Sequence, residues 1–190
     1  MHNIKEYTNF KDYKLIVAIA IPMIISNIST PILGIVDTSI IGRISIEQIG
    51  AIAIGSSLLS FVYFCFSFFR MGTTGLIAQA WGINDISNIY RILKSNIFIA
   101  FLCSLICIPL ILIFKSFLLD IYTTNTEIHN HASQYINIRI FGAPATFINF
   151  IIFGFLLGSK KPWELLKLVL FMNLLNIILD LYFGLYLRMN

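Results

Sequence analysis

The sequence predicts an all-α fold, a polytopic membrane helix bundle of about five spans. Three observations carry that expectation. Of the 190 residues, 58% are hydrophobic and only 12% are charged, whereas soluble domains carry about 25% charged residues. Charge is therefore too sparse to cover a water-exposed surface. Apolar residues gather in long stretches, each near the roughly 20 residues that cross a hydrocarbon core. Lys and Arg concentrate between alternate stretches, as the positive-inside rule requires. A chain this rich in Ile, Leu and Phe is not disordered. Its net charge of +4 and pI near 9.0 belong to loops flanking a membrane rather than to a nucleic-acid surface, so no nucleic-acid partner is expected.

The spans follow in order. Residues 1–13 are polar and form a tail. The first span, 14–41, is too long for a signal-peptide core and precedes no small-residue cleavage site, so it stays as an anchor. The second, 49–70, runs into a softer segment, Met71–Gly82. One unbroken helix over both would be about 50 Å long, so the excess must leave the ~30 Å core or bend. The third and fourth spans are 95–114 and 132–158, separated by a polar stretch, 115–131, with a short interfacial helix at Phe117–Tyr122. The fifth is 164–187. Lys5, Lys11 and Lys14, then Arg70, Arg91 and Lys94, then Lys160, Lys161 and Lys167 fall on one side. The other side holds Arg43, Lys115, Arg139 and Arg188. This places the amino terminus in the cytoplasm.

The informative residues are the polar ones inside spans, which are costly there and face a bundle interior or a water-filled cavity. Asp37 lies in the first span and Asp180 in the fifth. On a 100° helical wheel, Asn27, Thr30, Gly34 and Asp37 share a stripe of about 80°, and Asn173, Asn176, Asp180 and Gly184 share another. Asp37 is about 35 Å along a helix from Lys14, and Asp180 about 27 Å from Pro162. Both carboxylates therefore lie toward the outer ends of parallel spans, where they can meet in one layer. Burial and like charge then favour a bound proton or cation, which makes a coupling site; the competing reading is structural polarity that glues helices together. Pro22 and Pro31 each remove a backbone hydrogen bond from the first span and permit a bend.

Other features are weaker. Gly154 and Gly158 form a GxxxG that suits close helix packing, and Pro144 is a kink position. Tyr63, Phe64, Phe66, Phe68 and Phe69 suit a lipid-facing or packed surface better than a drug cavity. His129 and His131 beside Glu127 have metal-ligand chemistry, but a surface segment collects such residues freely. Cys65, Cys103 and Cys107 sit in apolar runs and are packing residues.

Three stretches carry a resemblance. Ile21-Pro22-Met23-Ile24-Ile25-Ser26-Asn27-Ile28, followed by Gly34-Ile35-Val36-Asp37-Thr38 and Ile41-Gly42, resembles the first helix of multidrug and toxic compound extrusion (MATE) transporters, and within them the DNA-damage-inducible protein F (DinF) type. The run from Arg70 through Met71-Gly72-Thr73-Thr74-Gly75 to Ala80 is similar to the second-helix signature. Asn173-Leu174-Leu175-Asn176-Ile177-Ile178-Leu179-Asp180 is similar to the fifth helix. The resemblance covers residue 14 to the end of the chain.

It implies a secondary active transporter, not an enzyme: a proton- or sodium-driven antiporter that exports organic, often cationic, drugs and xenobiotics across the bacterial plasma membrane. It implies twelve helices in two six-helix lobes, with the positions of Asp37, Asn176 and Asp180 in the cation site of the first lobe and Pro22 at a bend. The coupling ion, H+ or Na+, would be held there without any other cofactor or metal. Asn27, Thr30 and Asn173 are the supporting polar face. Five spans make an incomplete amino-terminal lobe, one helix short, so the expected partners are the lipid bilayer, small organic substrates and a missing carboxyl-terminal lobe. Alternatives are an inactive remnant of such a transporter and a lipid-linked oligosaccharide flippase of the same superfamily. The flippase calls for a more cationic cavity, whereas the polar groups expected inside these spans are acids and amides. An intramembrane aspartyl enzyme is disfavoured because Val36-Asp37 and Leu179-Asp180 lack its flanking signatures.

Overall fold

The computed structural model describes the backbone of residues 10–41 and 46–182, and side chains for 13–14, 16–29, 48–179 and 181–182. Its helices are α1 (Phe10–Ile41), α2 (Ile46–Cys65), α3 (Phe68–Gly82), α4 (Ile86–Tyr122), α5 (Thr126–Arg139), α6 (Ala143–Gly158) and α7 (Pro162–Leu181), with a 3-10 turn at Ile140–Gly142. Among the described residues, four stretches are long and apolar enough to cross a membrane: Gln48–Gly82, Ile86–Tyr122, Thr126–Gly158 and Pro162–Leu179. The described apolar part of α1, Ile16–Ser29, is shorter.

Two long spans are jointed. Between α2 and α3 the hydrogen bonds tighten to an i→i+3 pattern, with Phe66 N–H donating to the Tyr63 carbonyl and Ser67 N–H to the Phe64 carbonyl, both at 3.0 Å. The Ile140–Gly142 turn interrupts the other, just before Pro144 in the first turn of α6, where proline loses no intrahelical bond. The joints lie side by side. Tyr63 Oη donates to the Arg139 carbonyl at 3.5 Å, and the Phe66 and Phe147 rings are 4.4 Å apart.

Several expected boundaries move. The second span extends to Gly82 with a break rather than ending at 70, and the third is 86–122 rather than 95–114. The polar stretch 115–131 is mostly helix. Phe117–Tyr122 is the last part of α4 with Leu119 buried, and Asn125 caps α5 by accepting from the N–H groups of Glu127 (2.9 Å) and Ile128 (3.2 Å). Helices outlast the hydrocarbon layer, so polar composition there marks water and not a loop. Helix α1 begins at Phe10, inside the expected tail. The end of the 164–187 span and most of residues 1–13 lie outside the described residues.

The core uses small side chains. Helix α6 turns Ala143, Phe147, Ile151, Gly154 and Gly158 inward, and α3 packs on α6. A Cβ on Gly154 would stand 2.7 Å from the Arg70 carbonyl oxygen, and one on Gly158 2.7 Å from that of Thr74. The GxxxG is thus a close helix contact within the chain. The same pairs show that α3 and α6 run in parallel. Facing outward are large apolar groups such as Phe98 (61% exposed) and Ile113 (74%). Water would not tolerate such a surface and lipid does. The chain is a multi-pass membrane protein.

Candidate functional site

Helix α7 packs on α1. Their seam is pinned where Asn173 donates through Nδ2 to Ser29 Oγ at 2.9 Å, while Ser29 in turn donates to the Ser26 carbonyl at 2.8 Å. Polar side chains are admitted because a hydrogen bond between helices replaces the water that lipid cannot supply. Pro22 is fully buried, so its ring is held by packing although it removes a backbone bond from α1.

Below the pinned pair lies a cavity of about 250 Å³. Met23, Ser26 and Asn27 of α1 face Leu165, Val169, Met172 and Asn173 of α7, with Arg70 of α3 and Phe153 and Leu157 of α6 closing the remaining sides. Low residue numbers on α1 lie opposite low numbers on α7, so the two helices run in the same direction. That direction gives the contact between Ser29 and Asn173 a consequence for the expected coupling residues. Asp37 is about 12 Å beyond Ser29 along α1, and Asp180 about 10.5 Å beyond Asn173 along α7. Their helical positions are level to within about one residue rise.

Of the residues singled out from the sequence, Asn27 and Asn173 line the cavity, and Asn176 is half-buried on α7 one turn further along. The backbones of Thr30, Asp37 and Asp180 are helical, and their side chains lie outside the described residues. His129 Nε2 is 3.3 Å from Asp120 Oδ1, an ion pair when the imidazole is protonated, on a carboxylate that is 70% exposed. Among the described residues no cluster of His, Cys, Asp or Glu is arranged to hold a metal. Cys107 is buried in the core, and the three thiols are free. Phe69 is buried and stacks near Phe66 and Phe147, whereas Phe64 and Phe68 are exposed on the outside.

The residue that sequence reasoning missed is Arg70. Its place in the loop charge count is wrong, because the turn between spans is Ile83–Asp85. Arg70 sits in the first turn of α3 with about 18 Å of helix between it and Gly82. Arg139, at the end of α5, and Lys115, inside α4 and bonded through Nζ to Asn137 Oδ1, likewise belong to helices rather than loops. The bundle interior therefore holds a cation beside its amides, contrary to the expectation of acids and amides alone. The signal was available: Arg70 directly follows the apolar run Phe61–Phe69, with further apolar helix after it.

The MatE family model matches residues 22–182. DNA damage-inducible protein F of Escherichia coli (strain K12) is 35% identical over 177 residues, which is 90% of this chain and 38% of that protein. The probable multidrug resistance protein NorM of Acinetobacter baylyi is 28% identical over 150 residues, 78% of this chain and 33% of its own length. A MOP superfamily transporter from Pyrococcus furiosus superposes with a TM-score of 0.84 at 19% identity, over 93% of this chain and 39% of that one. The chain thus spans less than two fifths of the length of each of these relatives. Its helices follow the fold of that solved transporter, and with its family model matched from Pro22 to Tyr182 the chain belongs to the MatE family of multidrug and toxic compound extrusion transporters.

Proposed function

We propose that this chain carries the ion-coupling part of a proton- or sodium-driven antiporter that exports organic, often cationic, compounds across the plasma membrane, with Asp37, Asn176 and Asp180 as the coupling cluster. One observation carries the reading: the hydrogen bond from Asn173 to Ser29 sets α1 and α7 in a register that makes the two aspartate positions level. Two carboxylates at one level within a bilayer repel, so in this reading one takes a proton or both share a cation. Asn176 offers an amide one turn below, Asn27 and Asn173 line the cavity of the seam, and Thr30 shares their polar face by its helical position. Pro22, lacking an N–H, leaves α1 a bending point through which occupancy of the cluster reaches the cavity. The other partners in this reading are the lipid bilayer, the small organic substrate and a second lobe that completes the transport path.

The orientation belongs to the same proposal. The turns Ile83–Asp85 and Ser159–Lys161 lie at one end of the bundle, where the Lys161 ammonium is 5.7 Å from the Trp81 ring. Arg91, Lys94, Lys160 and Lys167 flank these turns, which supports a cytoplasmic end there and a cytoplasmic tail over residues 1–13.

The test is transport by a complete transporter carrying this chain, reconstituted in vesicles and driven by an imposed proton or sodium gradient. Asp37→Asn and Asp180→Asn should each abolish gradient-driven dye efflux while leaving the protein inserted. Efflux that persists in Asp37→Asn removes that residue from the coupling role.

A further inference from the structure

We propose that the cavity between α1, α3, α6 and α7 is an anion-binding subsite, in which Arg70 with the amides of Asn27 and Asn173 takes the carboxylate, sulfonate or phosphate of an amphiphile. The assignment rests on the transporter reading, whose cargo is often cationic, and goes beyond it by giving this cavity an anion. A guanidinium stays charged in a protein at any accessible pH, and its burial is costly unless an opposite charge or hydrogen-bond acceptors meet it. Arg70 is half-buried and, among the described residues, has no acidic neighbour lining the cavity and no side-chain hydrogen bond. Its backbone is held in place independently of any ligand, since its carbonyl accepts from Thr74 Oγ1 at 2.8 Å and lies against Gly154.

The remaining chemistry fits an anion. Asn173 uses one N–H on Ser29 and keeps the other, and Asn27 is exposed at the cavity. Both amides are donors that reinforce a guanidinium around an oxyanion. The other walls, among them Met23, Phe153 and Val169, are apolar. A space of about 250 Å³ takes an anionic head and the first part of a chain rather than a large molecule. An amphiphile places its head on Arg70 and its body along α6 and α7.

The full chain is placed in phosphatidylcholine nanodiscs and titrated with radiolabelled dodecanoate, with empty nanodiscs as the blank. Dodecanoate should bind saturably and dodecyltrimethylammonium should not displace it. Arg70→Gln should weaken binding about tenfold or more, the scale of one charge-assisted hydrogen bond, and Arg70→Lys should retain most of it. Displacement by the cationic surfactant as effective as by unlabelled dodecanoate, or unchanged affinity in Arg70→Gln, overturns the assignment. Should Arg70→Gln not fold, the surfactant competition with wild type and Arg70→Lys decides alone. Exchanging a third of the lipid for phosphatidylglycerol separates the sources. Loss of dodecanoate binding assigns the anion site to a lipid phosphate, and its retention assigns the site to a free amphiphile. Asp37→Asn should bind dodecanoate normally even where it transports nothing, so failure of the subsite and failure of the coupling cluster are read separately.

Discussion

Asn173 donates a hydrogen bond to Ser29 across the seam of α1 and α7 at 2.9 Å, and the two residues lie far apart in sequence. Among the described residues few polar contacts join distant helices, and this one borders the cavity that holds Arg70. Its strength is measurable. In a double-mutant cycle of Ser29→Ala and Asn173→Ala, followed by denaturation in mixed micelles, the coupling energy should be about 0.6 kcal/mol and not above ~1.7 kcal/mol, the range for hydrogen bonds between membrane helices. A coupling energy of zero means the contact is not formed in the membrane.

Gly154 should tolerate no side chain without a shift of α3. A Cβ there meets the Arg70 carbonyl at 2.7 Å and Thr73 Cβ at 2.8 Å, both on or next to backbone that cannot rotate away. Gly154→Leu is expected to destabilise by about 1–3 kcal/mol or more, as overpacking does. Gly72, whose added Cβ would meet nothing, is the control, and Gly72→Ala should melt near the wild-type temperature.

Lys160 sits at φ 57° in the turn that ends α6. Its N–H donates to the Leu157 carbonyl at 3.0 Å and that of Lys161 to the Leu156 carbonyl at 2.8 Å, a paired closure that normally carries glycine. Lys160→Gly should therefore stabilise the chain by about 0.5–1 kcal/mol, the left-handed cost less the entropy of a free glycine. A lowered melting temperature in that variant contradicts the backbone reading.

Topology can be read with single cysteines in a background without Cys65, Cys103 and Cys107. Asn125→Cys, in the short connector between α4 and α5, should react with a membrane-impermeant maleimide added to intact cells. Lys161→Cys should react only after permeabilisation. The reverse pattern inverts the orientation proposed above.

Hydropathy alone made the five helical units legible, because a lipid-facing helix must be apolar over most of its surface and Ile, Leu and Phe dominate each one. Wheel geometry also found Asn27 and Asn173 on the faces that meet. It did not find Ser29, because a serine bonded to its own helix leaves no trace in the periodicity of the sequence. Arg70 was missed for a different reason. Hydropathy treats a charge as the end of a span, whereas packing against Gly154 lets the chain continue past it. The ends of α4 and α5 were misread because residues 115–131 have the polarity of water-exposed helix and of loop alike. Only the cap at Asn125 separates the two.

The two joints, at Phe66–Ser67 and at Ile140–Gly142, interrupt neighbouring spans at one height. A beam is most compliant where its lattice of bonds is shortened, and a bundle with two such notches side by side has a waist. Above the waist α2 rests on α5, below it α3 rests on α6, and α4 passes both storeys without a break, with Pro109 inside it. The tight contacts of Gly154 and Gly158 lie in the lower storey, and Arg70 stands there too, in the first turn of α3 just below the notch, with its carbonyl against Gly154.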